Sequence, residues 1–344
     1  MITRADLRNV VTNATVAVYD EKTQVPSFFR SFFKENFNFT KLVNFEVRRA
    51  TEKVAVDIVR GERGNFNKMT RSTLKTIEPP LYSEWIRAND HDLYDVAIGS
   101  QDPSVMAMVA RGLANELDGI RQKIDRAIEI QCVQALMDGV VQLSSSESID
   151  YKRNPASKVD LSGTPWSDNA NDPRVDIKNG LDWMRANGKV PVGQANMILG
   201  GDAYSAFESN ANIINKADLK DYDITMIQEP QRNAAGGVFH GTISAGPYKV
   251  NIWTYPEVYT DEAGATKYYM DPKAMLLLPL NTNYNLEFAA VPQLPENGMM
   301  PQTDKYLTQE FFDSEKVSHK IYLKTAPIAM PVAIDTMYTA QVLA

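Results

Sequence analysis

Few side chains in this 344-residue chain have types and spacings suited to chemistry. His91 lies between Asp90 and Asp92, and two flanking carboxylates can hold an imidazole as a proton acceptor. No nucleophile stands near it in the sequence, so a surface acidic cluster is the preferred reading. Lys68 lies beside Asn65 and Asn67, the side-chain types of a Lys–Asn isopeptide link to a neighbour. That link needs a carboxylate base in a geometry the sequence does not supply, and it is set aside. Cys132 is the one cysteine, which excludes an intrachain disulfide or a multi-cysteine zinc site. It falls inside a helical pattern and reads as a small apolar packing residue. His91, His240 and His319 are scattered, with no two at metal-ligand spacing. The glycine turn Gly200-Gly201 lacks the lysine of a phosphate loop, and neither H-E-x-x-H nor G-x-S-x-G occurs. The expectation is no catalytic residue, no metal and no cofactor.

Charge is more informative than chemistry. The chain has 36 Lys plus Arg against 43 Asp plus Glu, a net −7, which argues against a generic nucleic-acid or anionic-membrane binder. At 44% hydrophobic and 23% charged it is an ordinary globular composition. The −7 is unevenly spread. Residues 41–75 carry nine bases and four acids, net +5, whereas 76–95 carry five acids and one base, net −4. The two runs are either independent solvated faces or a basic loop of one subunit meeting the acidic segment of another. On the second view the contact residues are Arg48, Arg49, Arg60, Arg63, Lys68 and Arg71 against Glu78, Glu84, Asp90 and Asp92. Phe45 and Phe66 are the aromatics of the basic run, too sparse for a single-strand binder.

These residues need elements to position them, and the length suggests about two domains. Thr3 and Asp6 form a weak helix-start signal near an N-terminus that lacks the pattern of a signal peptide. A short helix is expected after Pro26, where six phenylalanines fall between Phe28 and Phe39. The pairs Phe28/Phe32, Phe29/Phe33 and Phe33/Phe37 are four apart, as on helical faces. An interfacial membrane helix favours a basic polar face. Arg30 and Lys34 are the nearby bases and Glu35 offsets one, so docking of an N-terminal arm onto protein is preferred. Residues 54–59 (VAVDIV) read as a strand and the following GERGN as a hairpin tip. That excursion has too little apolar surface to fold alone.

The strongest periodicity follows. Asp102 and Pro103 supply a helix start, and Val105, Val109, Leu113, Leu117, Ile120, Ile124 and Ile128 step by four and three. One helix is expected over 103–138, lying across a sheet. Residues 140–170 read as loop or hairpin, and Asp172-Pro173 opens a helix closed by Gly188 and Pro191. Residues 196–199 read as a strand, Asp202 as the cap of a further helix, and 248–255, 267–270 and 275–280 as strands with a turn at 261–264. The region 319–343 reads as strand-rich. The longest apolar run, 274–280, is far short of a membrane span.

Three stretches resemble a known family: FFRSFFKENFNF at 28–39, the segment from GPYKVNIWTYPEVY through MDPKAMLLLPLN at 246–281, and TAPIAMPVAIDTMYTAQVLA at 325–344. They look like the lambda-type major capsid protein of tailed phages, the protein E family, with the α+β Hong Kong 97-like fold. The order of parts matches: arm, long basic hairpin, long helix, mixed domain, closing strands. The resemblance implies an N-terminal arm at 1–40, an extended loop at 41–76, a peripheral domain at 77–172 with a spine helix at 103–138, an axial domain at 173–290, and a return to the peripheral domain at 291–344. It implies self-assembly through pentamers and hexamers into an icosahedral shell that encloses double-stranded DNA without reading its sequence. A scaffolding protein, a portal and a decoration protein are the partners it implies, with no membrane and with assembly in the host cytoplasm. The alternatives are an encapsulin-like compartment and, less favoured, an unrecognised hydrolase around His91.

Overall fold

A computed structural model of the chain describes residues 25–47, 73–89, 103–143, 147–189, 192–217, 225–280, 284–293, 300–302, 304–313 and 318–344. A 3-10 turn at Arg30–Phe32 leads into β1 (Phe33–Phe37), followed by β2 (Val43–Val47), β3 (Thr73–Ile77), β4 (Tyr82–Asn89) and the long helix α1 (Pro103–Met137). Then come β5 (Val140–Gln142), β6 (Ser148–Asp150), a 3-10 turn at Pro155–Ser157, β7 (Lys158–Asp160) and α2 (Pro173–Gly188). They are followed by β8 (Gln194–Leu199), α3 (Gly201–Ser209), α4 (Ala211–Ala217), β9 (Thr225–Arg232), β10 (Val238–Ala245) and β11 (Tyr248–Thr254). The rest is strand: β12 (Val258–Thr260), β13 (Thr266–Tyr268), β14 (Ala274–Pro279), β15 (Tyr284–Phe288), β16 (Val291–Gln293) and β17 (Met300–Gln302). Last are β18 (Leu307–Asp313), β19 (Ser318–Thr325), β20 (Pro327–Met330), a 3-10 turn at Ile334–Thr336, and β21 (Tyr338–Gln341).

The apolar run at 274–280 explains the centre of the molecule. A strand without polar alternation must be covered on both faces, and all six residues of β14 are buried. It lies inside a seven-stranded sheet ordered β7-β21-β14-β8-β11-β10-β9. Successive residues of β14 feed two different cores. Leu276 and Leu278 pack with Ile120, Ile124, Ile128 and Leu136 of α1, whereas Met275 and Leu277 pack with Ile177, Leu181 and Met184 of α2. The period-2 geometry of a strand makes this sheet the wall between them.

The helix expected over 103–138 runs Pro103–Met137, about 52 Å at 1.5 Å per residue. Leu117, Ile120, Ile124, Ile128, Cys132 and Leu136 are its buried stripe, and Cys132 is the packing residue expected. Asp172 caps α2 as expected, its Oδ1 accepting from the Arg174 amide at 3.1 Å. The left-handed residue ending α2 is Lys189 (φ 56°), one past Gly188. Gly188 is needed for a different reason: a Cβ there would meet the Asp335 carbonyl oxygen at 2.6 Å. The cap of α3 is Gly200, with no side-chain bond, and Asp202 is already inside the helix. Within 140–170, β5 and β6 form a hairpin and β7 pairs parallel with β21.

The helix expected after Pro26 is replaced by one 3-10 turn and a strand. Strand β1 pairs in parallel with β15, setting Phe33 opposite Tyr284 and Phe37 opposite Phe288. A spacing of four puts side chains on one face of a strand as well as of a helix, so the phenylalanine pattern fits both. Pairing with β15 decides between them. Phe28 still meets Phe32, edge-on at 5.3 Å. The segment does dock on protein: Phe28, Phe29 and Phe33 lie in the core with Tyr255 and Tyr284.

Candidate functional site

Of the ten charged residues expected at a subunit contact, Glu78 and Glu84 are described. Arg48, Arg49, Arg60, Arg63, Lys68, Arg71, Asp90 and Asp92 lie outside the described residues, as do His91, Asn65 and the helix start at Thr3. Strands β2 and β3 flank the basic run and pair antiparallel, Val43 opposite Ile77. Beside them Glu78 accepts an ion pair from Lys41 at 2.7 Å, both side chains being exposed. Such a pair contributes about 0–1 kcal/mol, and it joins the acid to its own subunit. Glu84 is exposed on β4, opposite Leu323 of β19.

Three buried carboxylates hold residues 29–38 to the body. Glu129 of α1 is fully buried. It accepts from the backbone N–H groups of Phe29 (2.8 Å) and Arg30 (3.0 Å) and from the Tyr255 hydroxyl (2.9 Å). Those two amides start the 3-10 turn, so a side chain a hundred residues away supplies its cap. One helical turn earlier, Asp125 pairs with Arg30 Nη1 at 2.7 Å, has Arg121 at 3.8 Å, and accepts from the Tyr306 hydroxyl. Arg30 also reaches Glu35 at 3.0 Å, and Glu35 in turn takes Lys305 Nζ at 2.7 Å. The third carboxylate, Glu287 of β15, accepts from the side-chain amides of Asn36 (2.9 Å) and Asn38 (2.7 Å).

Burial sets the electrostatics of this anchor. It pushes the Glu129 carboxyl up to about 7, against the opposing pull of its three donors and of Arg30. Burial would lower Arg30, but Tyr306, Asp125 and Glu35 outweigh it and raise its pKa. Burial likewise opposes ionisation of Glu35, yet the Lys305 hydrogen bond and Arg30 bring it below the usual carboxylate range. The arrangement binds and positions a chain segment. No cluster of His, Cys, Asp and Glu able to hold a metal occurs among the described residues.

A second buried charge joins the two cores. Arg153 donates from Nη1 to the Leu136 and Met137 carbonyls at 3.0 and 2.8 Å, closing the C-terminus of α1. Its Nη2 reaches the Ser157 carbonyl and Thr339 Oγ1 of β21, and Nε reaches Ser157 Oγ. Burial pulls its pKa down to about 10. Sequence reasoning missed both groups. The signal for the anchor was present: Asp125 and Glu129 are charges at i, i+4 inside the apolar stripe of α1, where a solvated face has no place. Nothing local marks Arg153.

The family profile described as phage major capsid protein E matches residues 12–342. No curated protein sequence matches the chain. Among solved structures, one assigned as a prophage capsid protein of Escherichia coli CFT073 aligns with a TM-score of 0.64 and 16% identity, covering 99% of this chain and 98% of that one. A phage-related protein from Bordetella bronchiseptica RB50 aligns at 0.53 and 11%, covering 97% and 96%. An encapsulin complex from Synechococcus elongatus PCC 7942 aligns at 0.46 and 11%, covering 94% and 90%. The first two likenesses establish the fold, the Hong Kong 97-like α+β fold.

Proposed function

The chain belongs to the phage major capsid protein E family, and on that premise we propose that it is the repeated subunit of an icosahedral head, joined in pentamers and hexamers around double-stranded DNA. The capsid role itself follows from the family, and with it a place in the virion. What supports the finer account is the profile match over 12–342 together with a fold shared along 99% of the chain.

Within the shell, residues 1–40 serve as arm, 41–76 as extended loop, 77–172 and 291–344 as peripheral domain, and 173–290 as axial domain. The loop lies on a neighbouring subunit, where its arginines meet Glu84, Asp90 and Asp92. Opposite charges there set register and suppress wrong pairings more than they add affinity. A separate scaffolding protein, a portal and a decoration protein are its partners, and assembly takes place in the host cytoplasm. No step of shell building requires catalysis or a cofactor from this subunit. The net −7 suits a container that must not trap the duplex it encloses.

The test is assembly of the purified full chain, alone and coexpressed with a scaffolding protein. Closed shells of megadalton mass are expected by sedimentation and electron microscopy. A strictly monomeric or dimeric protein under every assembly condition sinks the proposal.

A further inference from the structure

Strand β10 is irregular at one residue. Phe239 stands opposite Trp253 of β11 and Gly241 opposite Ile252, so His240 is an extra residue in β10. On the other side Phe239 stands opposite Gln231 of β9 and Gly241 opposite Ile227, again leaving His240 without a register partner. Such a bulge re-aims a side chain and releases its backbone from the ladder. Gly241 follows at φ 121°, a conformation that favours glycine.

The re-aimed imidazole is buried. It lies under the Tyr204 ring of α3, with centroids 4.0 Å apart and planes inclined by 28°. Nε2 shares a hydrogen bond with Thr254 Oγ1 of β11 at 2.9 Å. Nδ1 is buried too and has no hydrogen-bond partner among the described residues. The titratable groups on the elements beside it are Asp202, Tyr204 and Glu208 of α3, Glu229 and Arg232 of β9, and Lys249 of β11. Arg232 is paired with Glu257. Glu208 is exposed, one helical turn after Tyr204 on the same face. Burial lowers the imidazole pKa, and Glu208 opposes that shift.

We propose that His240 is an acid-sensitive clasp: the neutral ring ties α3 to β10 and β11, and the protonated ring leaves the pocket to pair with Glu208 at the surface. Imidazole is the side chain whose ordinary titration falls between pH 5 and 8. Once protonated it donates from both nitrogens. Thr254 Oγ1 accepts from Nε2, but Nδ1–H is then a charged donor buried without an acceptor. The π face of Tyr204 attracts an imidazolium, and an unpaired charged donor costs more than that attraction returns. The bulge makes the exit local, since no ladder position of β10 has to move with His240. The neutral, clasped form therefore holds above about pH 6.5 and is lost as pH falls through the lower value of the buried ring.

The full-length free subunit, with its histidines 13C-labelled at Cε1, tests this by proton–carbon correlation spectra between pH 4.5 and 8. His91→Gln and His319→Gln assign the three signals. At pH 8 the His240 signal should lie upfield, in the ring current of Tyr204. That displacement should vanish in the same step as protonation, with a midpoint about one unit below the ordinary value of about 6.5. Glu208→Gln should move the midpoint lower still. Hydroxyl-radical oxidation of Tyr204 should rise at least threefold from pH 7.5 to pH 5, and His240→Phe should abolish that rise. A signal that titrates while staying upfield shows a ring protonated in place and overturns the inference. So does a His240 that stays neutral and upfield down to pH 4.5, or one never displaced upfield. A midpoint unmoved by Glu208→Gln, or an equal rise of Tyr204 oxidation in His240→Phe, overturns it as well.

Discussion

Glu129 is a carboxylate without an ion-pair partner among the described residues, surrounded by three donors and no water-facing surface. Burial raises its pKa to about 7 from the ordinary glutamate value, so the folded protein holds the proton more tightly than the unfolded chain does. The resulting contribution to stability is complete below about pH 4.3, the unfolded value, and is lost as pH rises through about 7. Melting temperature should therefore decline between pH 5 and pH 8 in the native protein. Glu129→Gln should lack that component of the slope. It should also lose about 1–3 kcal/mol, because its amide nitrogen faces an arm N–H where an acceptor is required. A melting-temperature difference between the two proteins that stays constant across pH 5–8 rules Glu129 out as the titrating group. Asp125 and Glu129 were legible as anomalies in an apolar stripe. Their partners were not, because Arg30 and Tyr306 are separated from Asp125 by about a hundred residues or more and meet it only through tertiary packing.

At the scale of elements, legibility followed how far each element depends on its own residues. Helix α1 carries its period over nine turns and was readable to within a residue at its C-terminal end. Strand β14 was readable because an apolar run of that length has few other solutions. Strand β1 was not, because its identity is settled by β15, some 250 residues away. Helix α2 shows how tightly elements fit. A Cβ on Gly180 would come within 2.7 Å of both Leu277 Cδ1 and Tyr338 Cδ1. Gly180→Val should thus force α2 off the sheet and cost about 1–3 kcal/mol as overpacking, seen as a lowered denaturant midpoint. An unchanged midpoint means α2 shifts without resistance and the contact is loose.

For the whole molecule, the reading from charge and from resemblance identified a shell subunit without locating its contacts. Residues 48–72 of the basic run lie outside the described residues, and Glu78 is held by Lys41 in its own subunit. The remaining charge match is testable as a unit. Replacing Arg60, Arg63 and Arg71 by Glu reverses three of nine bases in the loop and should abolish shell formation while circular dichroism of the free subunit stays unchanged. Shells of normal yield and morphology from that variant show that the loop is placed by shape and backbone pairing.

The strand order also sets a timetable for synthesis. β21 lies inside the seven-stranded sheet, between β7 and β14. The strand that pairs with β7 among the described residues therefore leaves the ribosome roughly 180 residues after it. At about 5–20 residues per second this is a wait of roughly 10–40 s. Until β21 arrives, β14 has one open edge, and Arg153 has no Thr339 to bind. A nascent chain therefore cannot complete its seven-stranded sheet before residues 338–341 have been made.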